Sequence, residues 1–66
     1  MDEKGKLKVV LEHWIEHNQE HSEEFRQWAG KANALGEKVV GDNILGAVKH
    51  LEEANDFLNK ALQKLG

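Results

Sequence analysis

The sequence predicts an all-α fold, an antiparallel two-helix hairpin that dimerises into a four-helix bundle. Three observations point there. Apolar residues recur in steps of three and four through both halves of the chain. Proline is absent, and the glycines at 30, 36, 41 and 46 punctuate the middle. The 66 residues make one domain at most, whose lone hydrophobic core would be marginal without a supplement.

The first helix is expected over residues 6 to 34. Leu7, Leu11, Trp14, Asn18, His21, Phe25, Trp28, Ala32 and Leu35 follow one another by alternating steps of four and three, which marks one helix face. Core packing is the expectation for Trp14, Phe25 and Trp28. Gly30 lies inside this helix at a cost of about 1 kcal/mol relative to alanine, to be offset by burial of Trp28 and Ala32.

Gly36 has the position of a residue that ends a helix in the left-handed conformation. The turn is therefore placed at 35 to 42, with "GEKVVGDN" a loop or a loop plus a first helical turn. Helix 2 begins between 37 and 43, about residue 38, and runs to 65. Asp42 would serve as N-cap, whereas Glu37 and Val40 extend the apolar face backward.

In helix 2 the spacing is by sevens: Ile44, Leu51, Leu58 and Leu65; Val48, Asn55 and Leu62; Ala47, Ala54 and Ala61. This is a heptad pattern with a seam of large residues and an edge of alanines, where close helix contact is expected. Asn18 and Asn55 stand at core-like positions, where a buried amide fixes register at some cost in stability. The apolar sector is wider than one partner helix covers, with Phe57, Leu45 and Ile15 left partly bare. These three and Ala47, Ala54 and Ala61 are the candidate interface, and a homo-oligomer or a protein partner is the implied occupant. Phe57 is the candidate anchor.

Twelve acidic residues against nine basic ones leave a net charge of -3, with the bases scattered, so nucleic acid is excluded as a partner. No apolar run is long enough for a membrane span or a signal peptide, and the chain reads as soluble and cytoplasmic. Without cysteine, neither disulfides nor thiolate metal ligands are available.

The stretch "HWIEHNQEHSEE" places His13, His17 and His21 four residues apart, each followed three places later by a glutamate. His17 and His21 could share a divalent cation, zinc or nickel, with Glu24 or Glu20 as an oxygen ligand and His13 as an outer ligand. His50 and Glu53 repeat the spacing on helix 2, but a hairpin closing at 35 to 42 sets His50 near Trp28, roughly 10 Å of rise from His21. The alternative leaves His21 in the core, bonded to Asn18 or to backbone, with His13, His17 and His50 on the wet flank. Protonation of a core His21 would oppose packing and act as a pH switch.

Enzymatic activity is not expected. The two-metal carboxylate pattern needs glutamate three residues before histidine, and Val10, Trp14, Asn18 and Ala47 occupy those positions. H-E-x-x-H and the phosphate-binding G-x-x-x-x-G-K-[ST] are missing, and Ser22 is the sole hydroxyl nucleophile.

The run "LEHWIEHNQEHSEEFRQWAGKA" followed by "HLEEANDFLNKAL" resembles a small, uncharacterised family of prokaryotic helical-hairpin domains. The resemblance covers nearly the whole chain. It implies the hairpin fold and a tryptophan and histidine block matching His13, Trp14, His17, Asn18 and His21, and carries no activity with it.

Overall fold

The structure, a computed structural model, describes residues 2–65; Met1 and Gly66 lie outside the described residues. Two helices, α1 (Glu3–Ala34) and α2 (Lys38–Leu65), make up the described chain. They pack antiparallel into a slab of 51 × 17 × 11 Å.

Helix α1 starts earlier than the apolar pattern suggests because Asp2 caps it. The Asp2 carboxylate accepts a hydrogen bond of 2.7 Å from the Gly5 N–H, satisfying one of the donors a helix start leaves free. At the other end Gly36 takes φ +82°, the left-handed conformation that a side chain would disfavour. The Gly36 N–H then reaches the Asn33 carbonyl at 3.0 Å and the Glu37 N–H the Ala32 carbonyl at 2.8 Å. This pair of bonds is the Schellman arrangement, and it turns the chain directly into α2.

The seam between the helices is built from Leu11, Ile15, Asn18, Ser22, Phe25, Ala29 and Ala32 of α1. Against them stand Gly41, Ile44, Val48, Leu51, Asn55, Leu58, Leu62 and Leu65 of α2. Both sets keep the three-four spacing of antiparallel coiled-coil packing. At its centre the Asn18 amide donates to the Asn55 side-chain oxygen at 2.9 Å, and the Asn55 amide donates to the Ile15 carbonyl at 3.1 Å. Every buried side-chain nitrogen or oxygen among the described residues has a partner.

The helices come close at Gly41, whereas the alanine edge expected to make the close contact is exposed. A methyl group built on Gly41 would meet the Asn33 side-chain oxygen at 2.9 Å and the Ala29 carbonyl at 3.0 Å. Ala47, Ala54 and Ala61 are exposed in the hairpin. The seam closes over Gly41, Ala29 and Ala32 because those residues bring no bulk to it.

Two outcomes follow for stability, each read by urea or thermal unfolding. Gly41→Ala should destabilise by about 1–3 kcal/mol, because its methyl group overpacks against backbone. Gly30→Ala, where the added carbon meets nothing within 4 Å, should stabilise by about 0.5–1 kcal/mol. Equal effects at the two sites would refute the close approach at Gly41. Asn18→Ala should cost about 1–3 kcal/mol by stripping Asn55 of its donor. Replacing both asparagines by leucine should restore stability while loosening the alignment, seen as exchange-broadened amide resonances.

Candidate interaction surface

The rotation of α1 about its own axis decides which side chains reach solvent. The expected stripe and the observed seam share Leu11, Asn18, Phe25 and Ala32, but the second row differs. Ile15, Ser22 and Ala29 face α2, and Trp14, His21 and Trp28 do not. Trp14 is 49% exposed and Trp28 56%, so the expectation of core packing holds only for the half-buried Phe25. Large rings at the contact would hold the helices too far apart for the Asn18–Asn55 bond and for the Gly41 contact, so the small residues face inward. Ile15, expected at an outer interface, therefore belongs to the seam inside the hairpin.

Helical spacing places the remaining residues on two opposite sides of the slab. One side is polar: Arg26 and Glu52 form an ion pair of 2.8 Å across the helices. A groove lined by Gln19, Ser22, Glu23, Asn55, Asp56 and Asn59 surrounds that pair. Leu45 follows Glu52 and Asn59 by sevens onto this polar side, away from the alanines.

The other side is apolar. From α1 it carries Leu7, Trp14, His21 and Trp28 at intervals of seven, and from α2 Val40, Ala47, Ala54 and Ala61 at the same interval. Between these rows lies a groove of about 410 Å³ lined by Phe25, Val40, Asn43, Ile44 and Ala47. Phe57, 70% exposed, flanks the alanine row. The lysine ammonium groups of Lys31 and Lys60 stand 4.1 Å from the Trp28 ring centre and 5.2 Å from that of Phe57.

The histidine ladder leads onto this face. His13 and His17 have ring centres 4.6 Å apart in an edge-to-face arrangement, His17 and His21 are 5.7 Å apart with a tilt of 31°, and His21 lies 5.9 Å from Phe25. His13, His17 and His21 are all exposed, so His21 is not a core histidine, and Asn18 bonds to Asn55 instead. Among the described residues no three His, Asp or Glu side chains converge as a metal site, so the ladder with Glu24 does not by itself close around an ion. The pairing of Asn18 with Asn55 puts His50 level with about residue 23, nearer His21 in height than expected, but across the alanine row from it. His50 instead has its Nδ1 3.9 Å from Glu53.

Phe57 is exposed as the sequence suggested, the alanine row expected to make close helix contact is exposed instead, and Trp14, His21 and Trp28 were missed as surface residues. The readable signal was the run of small residues at Ser22, Ala29 and Gly41, which marks where the helices come close.

Fold and surface together define a helical-hairpin module with one polar and one apolar broad side. None of its described helices is long and apolar enough to cross a membrane. The chain belongs to the family described as "Domain of unknown function (DUF8180)", whose model matches residues 7–65. It is similar to an uncharacterized protein of Archaeoglobus fulgidus, with 31% identity over 61 residues, spanning 92% of this chain and 97% of that protein. These matches agree with the resemblance to a small uncharacterised family drawn from the sequence. No solved structure matches the chain.

Proposed function

We propose that this protein is a small, non-enzymatic binding and assembly module that works through its apolar side. The observation that carries the reading is the outward placement of Trp14 and Trp28 on the side of the hairpin that also holds the groove formed by Phe25, Val40, Ile44 and Ala47. An exposed apolar side of this kind, rimmed by charge, supports a role in protein contact. Aromatic side chains are the usual anchors of such contacts. The grooves on the slab are shallow and open, which suits docking of another helix better than enclosure of a reacting substrate.

A double variant, Trp14→Ser with Trp28→Ser, tests the reading at high dilution. The helical far-UV signal should persist and binding of the hydrophobic dye ANS should fall several-fold. Leu45→Ser, on the polar side, should change dye binding little. Loss of helix in the tryptophan variant would show that the rings support the hairpin itself and would sink the proposal.

The spacing of the ladder favours a second reading, a divalent transition metal held by His17 and His21. Two imidazoles on one tetrahedral zinc ion, with Zn–N about 2.0–2.1 Å, have ring centres about 5 Å apart. The ring-centre separations of 5.7 Å for His17 and His21 and 4.6 Å for His13 and His17 both lie near that value. Glu24 and His13 would then be outer partners, and water or another chain would complete the ion. Calorimetric titration with zinc and nickel at neutral pH should give heat that falls at least tenfold in a His17→Ala, His21→Ala variant with unchanged helix content. Equal heat in both proteins, or none in either, would dismiss the metal.

A further inference from the structure

We infer that the occupant of the apolar side is a second copy of this chain. The two hairpins stack face to face about a two-fold axis parallel to their helices, so that α1 of each lies on α2 of the other. The inference rests on the assembly reading above and supplies its partner and geometry.

Area is the first argument. A folded monomer of 7.5 kDa exposes about 4,200 Å². The hairpin exposes 5165 Å², an excess of roughly 900 Å². A stable interface buries about 800 Å² on each partner. The broad side measures 51 by 17 Å, enough to hold an interface of that size.

The second argument is shape. On the apolar side α1 presents Trp14, His21 and Trp28, while α2 presents Val40 and three alanines. Large and small rows are complementary when each α1 lies on the partner's α2. A two-fold axis perpendicular to the helices would instead stack α1 on α1 and α2 on α2. That sets ring against ring at one seam and alanine against alanine at the other, and splays the bundle.

Register is the third argument. Rotation about an axis parallel to the helices leaves every residue at its own height, so the alignment inside the hairpin also sets the alignment between copies. With Asn18 facing Asn55, Trp14 is level with Asn59, between Ala54 and Ala61 of the partner subunit. His21 is level with Glu52, between Ala47 and Ala54 of the partner subunit. Trp28 is level with Leu45, between Val40 and Ala47 of the partner subunit. Each large side chain thus arrives over a gap between two small ones, as a knob enters a hole. The groove lined by Phe25, Val40, Asn43, Ile44 and Ala47 lies where the indole of Trp28 of the partner subunit arrives. At the outer edge, Phe57 of the partner subunit comes level with His17.

Sedimentation and cysteine cross-linking test this directly, because the chain has no cysteine of its own. The protein should sediment at twice its 7.5 kDa mass. An oxidised mixture of His17→Cys and Phe57→Cys chains should form a mixed disulfide far faster than either chain alone, and His21→Cys should remain unlinked. Ala54→Phe fills a hole on an exposed position of the hairpin, so it should give a monomer with full helix content. Ready self-linking of His21→Cys without the mixed disulfide would overturn this geometry in favour of α1 on α1. A monomer at all concentrations would overturn the second copy as occupant, and would leave the dye-binding test to decide the assembly reading separately.

Discussion

The hydrogen bond between Asn18 and Asn55 is the constraint on which the rest of the hairpin depends. Apolar contacts between two long helices are tolerant of sliding and rotation, since a heptad seam offers similar packing one repeat away. A buried amide is not tolerant, because any other register leaves its donors and acceptor without partners at a cost of about 1–3 kcal/mol. Asn55 is 9% exposed and uses both ends of its amide, one toward Asn18 and one toward the Ile15 carbonyl. The second bond reaches the backbone of α1, so it sets the rotation of that helix as well as its height.

That rotation distributes the side chains. Once Ile15 is turned inward, Ser22 and Ala29 follow it by helical repeat, and Trp14, His21 and Trp28 are turned out. The small inward row lets α2 come close enough for Gly41 to approach the Ala29 backbone. Close packing of the two helices and exposure of the large rings are therefore one consequence of one rotation. A hairpin closed around the tryptophans would have hidden them and lost the asparagine pair.

Much of the fold was legible in the sequence, for identifiable reasons. The heptads of α2 place Ile44, Val48, Leu51, Asn55, Leu58, Leu62 and Leu65 on one face without ambiguity, and the structure puts them at the seam. Gly36 ends α1 in the left-handed conformation because little else fits there. The face of α1 was harder. Leu11, Asn18, Phe25 and Ala32 belong to two candidate stripes, and hydrophobicity favours the one with the tryptophans. The other wins through steric fit and one amide bond, neither of which periodicity measures. Of the candidate site, the histidine ladder was visible as spacing. Its position at the edge of an exposed apolar side was not, since it follows from the same rotation.

A hairpin organised this way has a small interior. Among the described residues the buried apolar side chains are Leu11, Ala29, Ala32 and Val48, two of them alanines, so the seam sets alignment more than it removes hydrophobic surface from water. Of the large aromatic side chains only Phe25 lies in the seam, and Trp14, Trp28 and Phe57 lie outside it. In a chain without disulfides, the second copy proposed above would add to the modest apolar area that a short domain encloses by itself. The polar side, tied by Arg26 and Glu52, gives a partner little to bury, whereas the apolar side holds the unused rings and a row of alanines beside them. In the proposed dimer, the same residues that leave the isolated hairpin with a small core would make it one half of a larger one. Under that proposal, binding and added stability would come from a single feature of the sequence.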